Sequence, residues 1–384
     1  MISPLGILQK ALHARKHPGI DERQSLVGLA RQGLPYLFSP SNARPPKTIY
    51  WSINSVCNLH CKMCDVGLFN EQATFFANLR IDRKLHEISL DAFKRVTDEV
   101  AAFRPMFAIT ATEPLMYKPL PEAIAYARRA GLDVAITTGA YNLPQRAEEI
   151  ANAGLTRLNV SIDGPPAIHN SIRGRKDTFQ RATEGIVKFK DAARRRGYKP
   201  EVLVACTIIN MNFQNLEEFY DTITQYPVDR INFCFMYYVT KDVAEAHNRV
   251  WGHKYKASVN SLSEDVSPDK VDVRILHEQM RIVKAKGGDK VTFLPFLGEK
   301  DLRRFYHEPE KFMGNVPCMS SWFIAQILAD GEVIPYTRCY HIPLGNINER
   351  PFMDIWNGDA AGAWRRDLRK HGRFPACTRC DMVY

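Results

Sequence analysis

Ile49-Tyr-Trp-Ser-Ile-Asn-Ser-Val-Cys57-Asn-Leu-His-Cys61-Lys-Met-Cys64 is the stretch on which the reading of this chain turns. Its first half, Ile49 to Asn54, is rich in β-branched and aromatic residues and reads as a strand. Three thiols follow within eight residues, at the spacing Cys-x3-Cys-x2-Cys. At a strand's carboxyl end such a loop can wrap one small metal centre. Three thiolates leave one iron of a 4Fe–4S cube open to bind something else. Zinc is the competing occupant, because Cys61 and Cys64 form a Cys-x-x-Cys. A structural zinc usually needs a second close pair nearby, and none follows here.

Outward from this stretch, short β-like runs alternate with amphipathic helices. The runs are Ile49 to Asn54, Met106 to Thr110, Asp133 to Thr138, Arg157 to Ile162, Val202 to Ile208 and Arg230 to Met236; one more apolar run, not assigned as a strand, follows at Val291 to Leu297. Ser89 reads as the cap of a helix with Leu90, Phe93, Val96, Val100 and Phe103 on one face, and Gly131 closes the helix that runs from Pro121. Such repetition predicts an α/β fold with a parallel sheet and a site at the carboxyl ends of its strands. A Ser-rich stretch, Ser258 to Ser267, precedes a helix capped by Ser267. Trp322 to Leu328, Asp330-Gly331 and Val333 to Tyr336 read as a β-hairpin, and Phe352 to Trp356 as a short helix. Residues 1–32 look helical, with Leu5, Leu8 and Leu12 on one face. Gly33 to Pro46 reads as a Pro-rich linker.

The 384 residues are 45% hydrophobic and 24% charged, an ordinary globular composition. No apolar run approaches the ~20 residues of a membrane span, and the first twenty residues lack the apolar core of a secretory signal. The expectation is a soluble, cytoplasmic protein. Lys plus Arg outnumber Asp plus Glu by 52 to 42. That surplus suits an anionic substrate or an acidic protein partner, but no basic–aromatic stripe or nucleic-acid module accompanies it. Nine cysteines, an odd count without an export signal, argue for metal ligation over disulfides.

With these segments in place, the chain resembles the radical S-adenosylmethionine (SAM) superfamily from about Ile49 to Tyr384. Thr110-Ala-Thr-Glu113-Pro114 looks like the family's Gly-Gly-Glu-Pro segment, with both glycines replaced. Thr137-Thr138-Gly139 looks like its Thr-Asn-Gly segment without the Asn. Val160-Ser161-Ile-Asp163-Gly-Pro165, with His169 and then Arg173-Gly174, is similar to the strand-four signature of anaerobic sulfatase-maturing enzymes. The resemblance implies a partial (β/α)6 TIM-like barrel over 47–297, after an N-terminal helical segment and linker (1–46). It implies a SAM-binding 4Fe–4S cluster on Cys57, Cys61 and Cys64. It also implies SAM contacts from Met63, Glu113, Thr138, Ser161, Asp163 and Arg173, the Arg on the SAM carboxylate.

The last part, 298–384, resembles the SPASM/Twitch domain, a small hairpin-and-helix unit that holds an auxiliary cluster. Cys318 precedes the hairpin, Cys339 follows it, and Leu344-Gly-Asn-Ile347 leads to Ile355-Trp-Asn357. Cys377 and Cys380 complete four cysteines where a full SPASM domain has seven, which matches the shorter Twitch arrangement with one further 4Fe–4S cluster. The family's second cysteine falls five residues after the hairpin glycine. This chain has Tyr336 there, and Cys339 comes three residues later. Zinc on the same four cysteines is the competing reading.

The resemblance implies reductive cleavage of SAM and hydrogen abstraction from an unactivated C–H, with an acidic electron donor of the flavodoxin or ferredoxin kind. An auxiliary cluster would take the substrate's electron in an oxidation. Alternatively a thiol would return a hydrogen atom in an epimerisation, and Cys234, on the sixth strand, is the candidate. Only 46 residues precede the first strand, so a small molecule such as a sugar, aminocyclitol or nucleotide-sugar is the first expectation for the substrate. A ribosomally made peptide is second. A lipid reached through peripheral membrane contact by the basic N-terminal helix is third. A non-catalytic zinc or cluster protein that grips nucleic acid is the reading from another class.

Overall fold

A computed structural model describes residues 34–79, 84–294, 297–314, 317–380 and 382. The helix read over 1–32 lies outside them. Seven parallel strands form the core: β1 (Thr48–Trp51), β2 (Met106–Ile109), β3 (Val134–Thr138), β4 (Arg157–Ser161), β5 (Glu201–Ile208), β6 (Arg230–Phe235) and β7 (Val291–Leu294). They lie in sequence order, each βα step moving one place along the sheet. The hairpin follows as β8 (Ile324–Ile327) and β9 (Glu332–Pro335), and the two-residue β10 (Gly345–Asn346) pairs with β9.

The hairpin is not a separate layer. β8 runs parallel to β1, in register Thr48↔Ile324 through Trp51↔Ile327, so all ten strands make one sheet in the order β10-β9-β8-β1-β2-β3-β4-β5-β6-β7. β1, which delivers the cysteine loop, is therefore paired on both sides. The sequence cannot show this, because an apolar run reports that it will be buried and not which strand it will join.

Alternate residues divide the strands between two faces. Val160, Val204, Cys206, Phe233 and Phe293 lie on the side covered by helices. The other face is half-buried and polar. Arg157, Glu201 and Arg230 join in ion pairs at its amino-terminal end (Arg157–Glu201 2.6 Å, Arg230–Glu201 3.2 Å). Higher up, Asn159 donates to Thr137 Oγ1 at 3.2 Å and Gln326 to Ser52 Oγ at 2.9 Å. Parallel register puts Ser161, Ala205 and Asn232 on this face, and with them Thr207, Cys234 and Leu294. Cys234 thus faces the inner wall as expected. Cys206 faces the core, with Asn212 Nδ2 at 3.8 Å from its sulfur.

Local chemistry keeps one boundary and moves two. Ser89 caps its helix by accepting from Ala92 N at 3.2 Å, and Phe93, Val96 and Val100 are buried. Phe103 is 46% exposed, because the last turn, Ala101–Phe103, tightens to 3₁₀ and rotates it off the stripe. After Ser267, Pro268–Lys270 makes only a 3₁₀ turn. The α-helix starts at Val273, where Asp272 Oδ1 accepts from Arg274 N (2.9 Å) and Ile275 N (3.3 Å).

The stretch read as a linker is docked on the C-terminal helices. Residues 34–38 are helical, and Tyr36 and Ala43 are buried. Asn357 Oδ1 accepts from Ala43 N (2.9 Å), Trp356 Nε1 donates to Arg44 O (2.8 Å) and Arg365 Nη1 to Ser41 O (3.3 Å). Side chains from the far end of the chain thus satisfy backbone that no regular element serves. No described helix is long and apolar enough to cross a membrane.

Candidate active site

The cysteine loop is built backbone-first. Asn54, just beyond β1, accepts at Oδ1 from Val56 N (3.2 Å) and Thr112 Oγ1 (2.6 Å), and its amide donates to Glu113 O at 3.0 Å. Further along, the loop pairs with the end of the helix Pro166–Arg173: His60 N donates to Arg173 O at 3.3 Å and Lys62 N to Ile172 O at 2.9 Å. Close approach of backbone explains the glycine at 67. A Cβ there would stand 2.4 Å from Cys61 N, a contact no loop shift short of breaking the turn relieves.

The three thiols meet this cradle unequally. Burial pushes the Cys57 thiol up to about 12, with Glu113 and then the other two cysteines adding to it. Burial also pushes Cys61 up to about 11 against the opposing Arg173 cation, whose Nη1 is 3.6 Å from its sulfur. Unliganded, Cys57 and Cys61 stay protonated. As thiolate ligands they need a cation to hold the charge. Among the described residues no three metal-ligating side chains converge as a ready-made single-ion site. The loop instead holds three thiols in electrostatic range of one another, the donor set that suits an iron–sulfur cluster.

Around the loop stand the other predicted residues. Glu113 is fully buried, and burial raises its carboxyl. Thr138 Oγ1 (2.6 Å), Gly139 N (2.9 Å) and Leu115 N (3.0 Å) all donate to it. Its carboxylate is therefore fixed across the ends of β2 and β3. Ala111, at the first replaced glycine, keeps a glycine-like φ of +91°, and the second replacement, Thr112, is absorbed by Asn54. Met63 is buried, and Ser161 is half-buried at the end of β4.

Asp163 is engaged by the protein itself. It is fully buried, with Oδ1 accepting from Thr207 N (2.9 Å) and Oδ2 from Arg173 Nε (2.6 Å). Both oxygens have protein partners, so Asp163 positions Arg173. Arg173 is buried, which disfavours its charge. Asp163 and Cys61 beside it more than compensate, and its guanidinium stays charged next to the thiols.

The four C-terminal cysteines gather at a second place. Cys377 is pushed up to about 11 by burial, with Tyr340 opposing and Cys318 adding to it. Burial of Tyr237 raises its phenol, and Cys339, Cys380 and Cys377 are all close enough to add to that. Cys339, and not position 336, supplies the sulfur here: it is buried against the Tyr237 hydroxyl. Tyr336 is instead stacked on Tyr50 of the inner wall, ring centroids 4.3 Å apart. Sequence reading missed Asn54, Tyr237, Tyr340 and Arg338. No spacing signal could have found Tyr237, since it meets Cys339 across 102 residues.

A partial barrel whose first strand exits into three thiols, with four more thiols beside its last strands, defines an iron–sulfur protein that acts on a ligand at its strand ends. Comparison with known proteins makes the family explicit. Residues 51–225 match the radical SAM superfamily and residues 318–381 the SPASM iron–sulfur cluster-binding domain. This chain is a radical SAM enzyme, of oxidoreductase type, with a C-terminal SPASM-type domain, and it binds SAM and iron–sulfur. It is 26% identical over 350 residues to the Fe-coproporphyrin III synthase of Methanosarcina barkeri, covering 87% of this chain and 80% of the relative. Its fold is similar to Streptococcus suis SuiB bound to precursor peptide SuiA (TM-score 0.57, 14% identity, 98% and 82% of the two chains). It is also similar to anSMEcpe with bound AdoMet and Cp18Cys peptide (TM-score 0.55, 18% identity, 85% and 84%).

Two outcomes follow. Ala111→Gly removes a Cβ from a backbone that disfavours it, so stability should rise by about 1 kcal/mol, read as a higher denaturant midpoint. His169 is buried, its Nδ1 accepts from Asp163 N at 3.0 Å, and burial and then Arg173 hold its pKa well below 6.5. Its ring should stay neutral from pH 7.5 to 5.5 in an NMR titration. Below pH ~6.5 the unfolded chain binds a proton there that the folded chain does not. This residue therefore withdraws about 1.4 kcal/mol of stability per pH unit on acidification.

Proposed function

We propose that this enzyme removes a hydrogen atom from a C–H bond of a carboxylate-bearing substrate, with an acidic peptide as the first form to test. The substrate's remaining unpaired electron would pass to a second cluster held by Cys318, Cys339, Cys377 and Cys380. Loss of a proton then completes a two-electron oxidation. The observation that carries the substrate class is Arg338. Its guanidinium lies 4.0 Å over the ring of Phe75 and 5.7 Å from that of Tyr237, and its Nε is buried without a partner among the described residues. Phe75 packs with Val66 and Leu79 beside Cys57 and Cys64, whereas Tyr237 touches Cys339. A cation with one unpartnered buried donor, its charge shared with the buried Asp65 carboxylate, therefore stands between the two cysteine sites, where a substrate must be reached from both.

When bound on Cys57, Cys61 and Cys64, a reduced 4Fe–4S cluster with SAM supplies a 5′-deoxyadenosyl radical. The chain's own residues orient and enclose. Arg173, held by Asp163, keeps a positive charge beside Cys61. Glu113 keeps a carboxylate at the ends of β2 and β3. Ser161 stands half-buried at the end of β4 on the same wall as Cys234. Cys234, half-buried on that wall, is the candidate for the alternative outcome in which a thiol returns a hydrogen atom.

The free sugar or aminocyclitol expected from the sequence is the weaker reading. SuiB and anSMEcpe have been solved with peptides, and the Methanosarcina relative is named for a porphyrin; neither points to a sugar. A shared fold does not carry a substrate with it, so Arg338 bears the weight.

The test is anaerobic. Reconstituted protein should bind about eight irons, two 4Fe–4S cubes. Dithionite and SAM should yield 5′-deoxyadenosine, faster with peptides carrying Asp or Glu than with their Asn or Gln counterparts. Arg338→Ala should raise KM about tenfold or more with a smaller effect on kcat, the size of one lost charge-assisted hydrogen bond. Stimulation by sugars alone, or an unchanged KM in the variant, would overturn the substrate reading.

A further inference from the structure

The two sets of cysteines meet different donors. Cys61 accepts from a guanidinium, and among the described residues no side-chain hydroxyl reaches Cys57 or Cys64. In the second set the hydroxyls recur. Cys339 Sγ lies against the Tyr237 hydroxyl, Cys377 Sγ is 3.3 Å from the Tyr340 hydroxyl, and Cys318 Sγ is 3.1 Å from Ser320 Oγ. Cys339 also approaches Ala376 O at 3.5 Å, a contact a thiol makes and a thiolate cannot. With the sulfurs ionised on a metal centre, each hydroxyl can only donate.

Hydrogen bonds to cluster sulfurs withdraw charge from them and favour the more negative, reduced state. We propose that Tyr237, Tyr340 and Ser320 raise the reduction potential of the cluster on Cys318, Cys339, Cys377 and Cys380 and so make it an electron acceptor. The proposal rests on the two-cluster reading above and assigns the direction of electron flow to three named hydroxyls. Tyr237 gives it a further consequence. It belongs to the barrel, three residues after Cys234 on β6, so the hydrogen bond ties the acceptor to the wall that faces the substrate.

The experiment uses the full chain carrying Cys57→Ala, Cys61→Ala and Cys64→Ala, which leaves only the second site. Iron and sulfide are counted first, and the potential is then read by EPR-monitored redox titration. About four irons are expected. Tyr237→Phe and Tyr340→Phe should each lower the potential. A tenfold change in the oxidised-to-reduced ratio corresponds to about 59 mV for one electron. Ser320→Ala should act in the same direction, and Ser320→Thr, which keeps the hydroxyl, should restore the parent value. Full iron with unchanged potentials in all three hydroxyl-deleted variants overturns the proposal alone. Iron loss in each of them also overturns it, since the hydroxyls would then serve assembly. A parent that binds no iron overturns the two-cluster reading and this proposal together.

Discussion

The buried pair of Asp163 and Arg173 is the constraint from which the catalytic end of the barrel is organised. Taking both charges out of water is costly, and their attraction repays that only when every remaining donor and acceptor is used. Here they are used. The Asp163 carboxylate also holds Thr207 of β5, its N–H meets His169, and Asn212 donates to its carbonyl at 2.8 Å. Arg173 reaches Cys61 with its side chain and His60 with its carbonyl. One ion pair therefore fixes two strands, one helix and the metal-binding loop relative to each other. Removing either partner would leave a charge uncompensated beside three thiols that themselves wait for a cation.

The C-terminal segment is coupled to this centre by more than covalent connection. β8 lies beside β1, the docked segment 34–46 is clasped by Trp356, Asn357 and Arg365, and Tyr237 of the barrel reaches Cys339. The helices after the hairpin also take part: Glu99 accepts from the backbone of Phe352 and Met353 at 2.9 and 2.7 Å. The second group of cysteines is thus held against the barrel from several directions. That arrangement suits the proposed exchange of electrons with whatever occupies the barrel.

Much of this was legible in the residues. Period-two runs and helix caps placed six of the seven core strands, and Cys57, Cys61 and Cys64 announced the loop by spacing alone. Spacing fails when the determinant is a partner far away in sequence. The joining of β8 to β1, the grip of Arg365 on the supposed linker and the contact of Tyr237 with Cys339 are all tertiary. Asp163 was visible in the motif, but its contacts with Thr207 and Arg173 were not. Ala111 shows the opposite case. The glycine signature is lost from the sequence, yet the backbone conformation that glycine serves is kept.

The pairing of β1 with β8 joins Thr48 to Ile324, so the strand that leads into the cysteine loop gains its second neighbour only late in synthesis. A nascent chain emerging from the ribosome holds Cys57, Cys61 and Cys64 long before that neighbour exists, and contacts so distant in sequence form slowly. The loop must wait, incompletely framed, while most of the protein is made. The frame around the cysteine loop is therefore complete only once β8 has been made.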